Sequence, residues 1–484
     1  MTITDYNEAN KKIVDYFEDI AFHPSLDIKD DILVLGFRVK LEIDKEGERF
    51  LVISKKGIQI TDKDSFKIND KSYCIDLKNR RLSKLSKRWN INELYETCEY
   101  LSKECKSLVN SLEIFNELKQ LLRGYLDIDD SDCTILAIWT LGTYFFPIFS
   151  AYPYLHIKAP KGSGKTQCLS FLNQTCFNAV KARASLPALR DTVDALRGTY
   201  LMDQADSLHR PNNEELLDVL TDSYKRGGGD QRKMIPDKGK SWNLQEFQAY
   251  APKAFASIYQ LPEDLRDRCL LIALTKSKNN FKSLDEEDSI WKEMRGNIYK
   301  LLIDNFTDVA LQYKVKKIEY RFEPTLLGRQ LELWLPLEVL MIVIGVPQEE
   351  QESAKQKFQS KYGFIESQTT DLENCVIETL LEIMANKPEI ILSPKEIAEN
   401  IDDALFENSD GFTSLKQKAV QVGKTINKFN LSSQKLPRNN KGERYLFKKE
   451  QVEKVSEGYL ALKKVDEPTQ IYTEQKELIK TEEF

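Results

Sequence analysis

The sequence of 484 residues is poor in the side chains that build metal centres and disulfide frameworks. It has three histidines, His23, His156 and His209, too dispersed to form a metal cluster. Its eight cysteines stand at 74, 98, 105, 133, 168, 176, 269 and 375 and never as Cys-x-x-Cys. Neither zinc ligation nor a disulfide scaffold is therefore indicated. No run of eighteen apolar residues occurs, so no membrane-spanning helix is expected. The opening Met-Thr-Ile-Thr-Asp-Tyr lacks the basic and apolar stretches of a signal peptide. A cytoplasmic protein with reduced thiols is the expectation. An excess of base is missing too: 76 acidic residues stand against 70 basic ones, a net charge of −6. That excludes a generally basic nucleic-acid coat and leaves local basic surfaces open. No internal repeat or low-complexity tract is present.

With 41 % apolar residues the chain can bury sizeable cores, and its length suits two to four domains. The most informative stretch is Ala159-Pro-Lys-Gly-Ser-Gly-Lys-Thr166. An apolar run, Tyr154-Leu-His-Ile157, precedes it and reads as a buried strand. Residues 167–176 follow it and read as a helix with Leu169, Leu172 and Cys176 on one face. Strand, glycine-rich turn, Lys-Thr and helix together are the context of a phosphate-binding loop. Gly162 and Gly164 let the backbone around Ser163 turn its N–H groups toward phosphate oxygens. The helix adds its positive N-terminal end. Lys165 can neutralise the β- and γ-phosphates of ATP, and the Thr166 hydroxyl can ligate Mg²⁺. Ala159 stands where such loops begin with glycine.

Gly198 to Asp206 reads as a second buried strand ending in acid, with Asp203 placed to hold Mg²⁺ through water. The next position, where a glutamate would orient the attacking water, is Gln204. An amide binds water but accepts its proton poorly. Three readings stay open: Asp206 is the base, hydrolysis is slow, or Gln204 is a deliberate replacement of Glu that traps ATP. Residues 251–258 read as another strand, on which Ser257 could sense the γ-phosphate. Arg268, just before the strand Cys269–Leu274, could reach a neighbouring subunit's γ-phosphate, with Arg266 as the second choice. Arg329, in a helical segment from about 285 to 345, could touch the same nucleotide in cis. Two short strands around Pro236-Asp-Lys-Gly239 read as a hairpin with Lys238 and Lys240 at a basic tip.

On either side lie further units. Residues 1–90 read as a small α+β domain, with an amphipathic helix at 5–20 and strands near 31–37, 49–53 and 72–75. Asp30-Asp31 invites comparison with a polymerase carboxylate pair, but it sits at a strand start and has no matching partner motif. The basic run from Lys78 to Arg88 suits a solvated linker or a phosphate-backbone contact. Residues 91–345 hold the nucleotide core and its helical lid, and 134–149 should be a buried helix beside that core. Residues 346–368 read as a linker or short helix, and 461–484 as an acidic, frayed tail. Between them, 369–460 reads as three helices and a hairpin, a winged helix. Its third helix would carry Lys416, Lys418 and Lys424, and its wing Arg438, Lys441 and Arg444, toward DNA phosphates.

Taken in order, these phrases resemble AAA+ helicases of the mini-chromosome-maintenance-like kind. The nearer likeness is to replication helicases of mobile elements such as staphylococcal cassette chromosomes and pathogenicity islands, and to related phage proteins. The phrases include Ala137-Ile-Trp-Thr-Leu-Gly-Thr-Tyr144, Lys161-Gly-Ser-Gly-Lys-Thr166, Gly198-Thr-Tyr-Leu-Met-Asp203, Ser223-Tyr-Lys-Arg-Gly227, Tyr250-Ala-Pro-Lys-Ala-Phe-Ala-Ser257, Leu265-Arg-Asp-Arg268 and Trp334-Leu-Pro-Leu337. The likeness spans roughly 110–345. It implies an α/β AAA+ P-loop ATPase core and a homo-oligomeric, hexameric ring with Arg268 acting in trans. The hairpin would enter a pore holding single-stranded DNA, while the winged helix binds duplex. The expected function is an ATP-dependent DNA helicase or translocase in replication initiation of a mobile element. A non-unwinding initiator or helicase loader is the alternative. A third reading, an ATP-gated transcription regulator, would need an effector domain that nothing in the sequence identifies.

Overall fold

The computed structural model describes residues 20–42, 45–68, 71–77, 110–182, 185–236, 242–277, 281, 283–323, 325–366, 371–401, 414–429, 431–439 and 442–460. The chain divides into two compact units, Met1–Gln359 and Ser360–Phe484. The expected helix at 5–20, apart from Ile20, which is extended in a strand rather than helical, the basic run 78–88 and the tail 461–484 lie outside the described residues, as do Lys238, Lys240 and Lys441.

The first unit opens with strands β1 (Ile20–Phe22), β2 (Leu26–Lys29), β3 (Ile32–Glu42), β4 (Lys45–Ser54), β5 (Gly57–Thr61), β6 (Ser65–Ile68) and β7 (Lys71–Ile75). They form an antiparallel sheet β2-β3-β4-β5 and a smaller sheet β1-β7-β6. The three expected strands are β3, β4 and β7. Phe22, Val34, Val52, Phe66 and Tyr73 meet in one core between them. Asp30 and Asp31 both have positive φ, 49° and 58°, and form the two-residue turn joining β2 to β3. Such a turn needs left-handed backbone at both positions, which aspartate tolerates. The acidic pair is therefore turn chemistry.

Next come α1 (Ser111–Tyr125), α2 (Asp130–Gly142), β8 (Tyr154–Lys158), α3 (Lys165–Thr175), β9 (Val180–Ala182), α4 (Leu186–Leu196), β10 (Tyr200–Met202) and α5 (Glu214–Asp222). Then follow β11 (Gln231–Pro236), β12 (Trp242–Phe247), β13 (Lys253–Ser257), α6 (Glu263–Arg266), β14 (Cys269–Ala273), α7 (Ser289–Phe322), α8 (Gly328–Ile344) and α9 (Gln348–Glu366). The helix expected at 134–149 is α2, buried on nearly every side, and it stops before a 3-10 turn at Phe146–Ile148 that holds Pro147. The segment read as a linker or short helix is the 19-residue α9. Phe358 on α9 stacks on Trp334 of α8 at 5.2 Å, which explains why so polar a stretch stays helical.

At the centre is a five-stranded sheet in the order β14-β8-β13-β10-β9. Every pairing in it is parallel. β8, β10 and β13 are buried throughout apart from Lys158, as expected of a sheet covered on both faces. The chain leaves β8 for the far edge and returns inward, so β13 lies between β8 and β10. Ligands in such sheets sit beyond the carboxyl ends of strands near that reversal.

The second unit holds α10 (Asp371–Ile383), β15 (Glu389–Leu392), α11 (Pro394–Ala398), α12 (Leu415–Lys428), β16 (Gln434–Asn439), β17 (Gly442–Lys448) and α13 (Lys449–Leu460). The strands pair antiparallel in the order β15-β17-β16. Ser393 and Ser414 each close a capping box, with Glu396 and Gln417 as third-position partners. Val376, Leu380, Met384, Val422, Ile426 and Phe447 form the core. Among the described residues no helix is long and apolar enough to cross a membrane.

Candidate functional site

The loop after β8 has the backbone its glycines were expected to supply. Gly162 and Gly164 have φ of 82° and 86°, in the left-handed region that side chains resist. Gly164 caps α3 without any side-chain bond. Ala159 is absent from the positive-φ residues, its methyl is fully buried, and its N–H donates to Ser257 O at 3.1 Å. Alanine is tolerated because this position does not need glycine's freedom. Lys165 is half-buried and Thr166 exposed, and neither makes a hydrogen bond or ion pair among the described residues. Ser163 Oγ is buried without a partner. A cradle with one orphaned hydroxyl and one unpaired cation fits a phosphate group. Nearby, a cavity of ≈ 530 Å³ opens between α1 and α7. Leu121, Tyr125, Ile290 and Met294 line it, and Gln167 Nε2 on α3 reaches Tyr125 O at 2.8 Å.

Across the sheet, Met202 is opposite Phe255, which is opposite His156. Asp203 therefore emerges level with the end of β8, two strand spacings or ~10 Å away. Asp203 and Gln204 are exposed. The Asp203 carboxylate accepts the Gln204 N–H at 2.8 Å, and Gln204 sits at φ 57°, ψ 45°. A left-handed glutamine is uncommon, and such positions collect at working sites. Asp206 is otherwise engaged. Its carboxylate accepts Ile258 N–H at 3.0 Å and Tyr259 N–H at 2.9 Å, fastening the loop after β13 to the loop after β10. It positions that loop.

Ser257 corrects an expectation. It is fully buried, and its hydroxyl donates to Tyr259 O at 2.6 Å. Its single proton is thereby used, so His156 Nε2, 2.7 Å away, must be the donor to Ser257 Oγ. Burial, with Lys158 and Arg266 adding to it, lowers the His156 pKa to about 3, so the ring is neutral. Ser257 therefore offers no hydroxyl to a phosphate. Tyr259, 70 % exposed, is the side chain this strand end presents. The sequence contained the pattern, a histidine alone in an apolar strand, but not its partner 101 residues away.

The arginines occupy the opposite end of the sheet. Arg268 precedes Cys269, whose strand partner is Tyr154, the first residue of β8. The Gly162–Gly164 loop follows Lys158, four rises or ~13 Å further along. Arg268 Nε donates to Thr221 O at 2.6 Å, and the guanidinium lies 5.5 Å from the Tyr224 ring centroid. Arg329 lies 4.8 Å from the same ring, and Tyr224 is edge-on to Tyr154 at 6.4 Å. Arg329 thus stands with Arg268 at the amino end of β8. The expectation that it touches its own subunit's nucleotide is not met. Its Nη1 is buried and has no partner. Arg266, the second choice, is 7 % exposed. Glu332 anchors the cluster by accepting Tyr224 Oη at 2.8 Å and Lys225 Nζ at 2.6 Å.

Two further features had no sequence signal. Lys253 is fully buried on β13, and Nζ donates to the carbonyls of Ser223, Ala249 and Ala251 at 3.4, 2.8 and 3.1 Å. Burial pushes its pKa well below the usual lysine range. The β1–β7 region also joins the five-stranded sheet region through a buried polar seam. Asp27 pairs with Arg197 at 2.9 Å, Arg197 bonds Gln248 Oε1 at 2.8 Å, and Ser25 Oγ donates to Leu196 O at 2.5 Å. Burial opposes charge on Asp27, yet Arg197, Lys29 and the His23 N–H hold its carboxyl well below the usual range. The strands β1–β7 are thus fastened through Asp27 to the base of the β11–β12 hairpin, since Gln248 directly follows β12.

In the second unit Lys416 and Lys424 are exposed on α12, on one line with Val420, 55 % exposed. Lys418 is 7 % exposed, on the inner side of the helix, which removes it from the expected phosphate contacts. Arg438 is exposed on β16, while Arg444 folds back to donate to Pro437 O at 3.2 Å.

No protein-family model matches the chain, and neither does any curated protein. Among solved structures it is similar to an active helicase described as SCCmec type IV Cch, at 9 % identity and TM-score 0.36, covering 84 % of this chain and 79 % of that one. It is similar to the C-terminal region of NrS-1, at 12 % identity and TM-score 0.31, covering 86 % and 96 %. A full-length MCM homologue from Methanopyrus kandleri matches at 11 % identity and TM-score 0.32, covering 68 % and 76 %.

Proposed function

We infer that the chain is an AAA+ ATPase that moves along DNA, a helicase or translocase acting where replication of a mobile element begins. One observation carries the reading. The phosphate loop and Asp203 lie at the carboxyl end of one parallel sheet, and Arg268 and Arg329 lie at its amino end. No single copy brings them together, so the complete site forms between copies arranged head to tail, as in a closed ring such as a hexamer.

In that site the Gly162–Gly164 backbone and Lys165 hold the phosphates of ATP, and the α1–α7 cavity suits its base. Thr166 and Asp203 would hold Mg²⁺, which when bound draws charge off the phosphates. Gln204 orients water without taking its proton, so turnover of this chain is slow. Arg268 and Arg329 of the adjoining copy meet the γ-phosphate charge, and the unpartnered Arg329 Nη1 gains an acceptor. The β11–β12 hairpin follows one DNA strand in the pore, where Lys238 and Lys240, which the sequence puts between its strands, would meet the backbone. Helix, strand, two helices and hairpin in the second unit suit a winged helix. Lys416 and Lys424, with Arg438 and Lys441 on the wing, would contact duplex phosphates.

Strand displacement on forked DNA with ATP and Mg²⁺, run on this chain beside Gln204→Glu, tests the reading. Unwinding by Gln204→Glu is expected. ATP-dependent DNA binding without unwinding by either would favour the initiator or loader reading, which Gln204 itself favours if natural.

A further inference from the structure

The turn that follows β13 is held more firmly than a surface turn needs. Asp206 Oδ1 accepts the Ile258 N–H at 3.0 Å and the Tyr259 N–H at 2.9 Å. Ser257 Oγ donates to Tyr259 O at 2.6 Å and is itself held by His156 Nε2 at 2.7 Å. His209 Nε2 donates to Gln260 O at 2.8 Å. Side chains from β13 and from the segment after β10 thus fix the backbone of Ile258, Tyr259 and Gln260. The Tyr259 side chain itself is left out: it is 70 % exposed, and its hydroxyl makes no hydrogen bond among the described residues. Fixing a turn costs conformational freedom, and such bracing is how a working side chain is held in register.

The place of this turn is fixed from both sides. β13 lies between β8 and β10. Toward β8, Ala159 at the start of the glycine-containing loop donates its N–H to Ser257 O at 3.1 Å. Toward β10, the tethering Asp206 stands three residues after Asp203 in the same turn. Tyr259 therefore leaves the carboxyl end of the sheet between the backbone that leads to Gly162–Gly164 and the acidic turn. That end is where ligands of such sheets bind.

We propose that the Tyr259 hydroxyl contacts the terminal phosphate of ATP and that Asp206 is the positioning residue that holds it there. The proposal rests on the ATPase reading for its ligand. A phenolic O–H donates one hydrogen bond, and a bond to an ionised phosphate oxygen is the stronger kind. The terminal phosphate is the group that separates ATP from ADP, so Tyr259 gives the site a preference for the triphosphate. Asp206 acts through the backbone. One of its oxygens, Oδ1, accepts both amides, so asparagine can keep the brace and alanine cannot.

Titration calorimetry on the full chain, with Mg²⁺ and either ADP or the non-hydrolysable β,γ-imido analogue of ATP, reads that preference. The variants are Tyr259→Phe, Asp206→Asn, Asp206→Ala and the double variant Asp206→Ala/Tyr259→Phe. Tyr259→Phe should bind the analogue about tenfold more weakly and bind ADP as the parent does. Asp206→Ala should show the same selective loss, and Asp206→Asn should keep most of the parent's affinity. The double variant should lose no more than either single change, because both act through one contact. Tyr259→Phe with the parent's preference for the triphosphate overturns the proposal. So does an equal loss of ADP affinity, which would mark a brace that serves stability alone. Additive losses in the double variant, or parent-like analogue binding by Asp206→Ala, remove Asp206 as the positioning residue. A parent that binds neither nucleotide sinks the ATPase reading, and the proposal with it.

Discussion

The two ends of the central sheet are built in opposite ways. At the carboxyl end the chain leaves groups unspent: Lys165 and Thr166 make no bond among the described residues, and Ser163 Oγ is orphaned. At the amino end nearly everything is tied. Arg268 is held by the Thr221 and Asp264 carbonyls and by the Tyr224 ring. Glu332 holds Tyr224 and Lys225, and Lys253 holds three carbonyls beneath them. An end that receives a ligand must keep its hydrogen-bonding capacity open. On the proposed reading the amino end delivers a charge into another copy, and it gains from having its geometry fixed beforehand.

Substitutions at the two ends should therefore fail differently. The largest effect is expected from Lys165→Ala, which should abolish ATP binding and hydrolysis together, read by analogue titration and phosphate release. Arg268→Ala should leave binding within a few-fold while hydrolysis falls by ~10³. Equal loss of binding would break the contrast. Gln204→Glu, at the open end, should raise hydrolysis by ~10²-fold or more, and no change would show that Gln204 does not limit turnover.

Lys253→Met sharpens the other side of the comparison. It strands three buried carbonyls and should cost ~3 kcal/mol in denaturant unfolding. A loss under ~1 kcal/mol would mean that water replaces the amine. Asp27 gives the smallest effect at neutral pH and a distinct one in acid. Its carboxyl titrates lower folded than unfolded, so the stability it adds is complete above ~4 and drains as pH falls toward the folded value. Asp27→Asn should lose stability at pH 7 and show a shallower decline below pH 4 than the parent. Parallel curves would remove Asp27 from the acid response.

The contrast also explains what could be read from the residues alone. The open end is local: strand, Gly162, Gly164, Lys165 and Thr166 are contiguous, and backbone rules fix what each must do. The strands β3, β4, β7, β8, β10, β13 and β14 and the all-buried α2 were legible for the same reason, whereas the short β1, β2, β5, β6, β9 and β15 were not. The tied end is not local. Tyr224 joins Arg268 and Arg329 across more than a hundred positions of sequence, and nothing in a single window ties Lys253 to Ser223 O. Ser257 failed as a phosphate sensor because its hydroxyl is spent on Tyr259 O and His156, and burial of that kind is decided by strand order. Lys418 failed through helical phase: on α12 it turns inward while Lys416 and Lys424 turn outward.

The most direct test of a site divided between copies is to mix two inactive chains, Lys165→Ala and Arg268→Ala, both carrying Gln204→Glu, and to measure ATP hydrolysis. The intact phosphate loop of the second and the intact arginine of the first should meet at shared interfaces and restore part of the activity that each lacks alone. A mixture as inactive as its components, with co-assembly of the two chains demonstrated, would place Arg268 and the phosphate loop in one subunit's site and contradict the division.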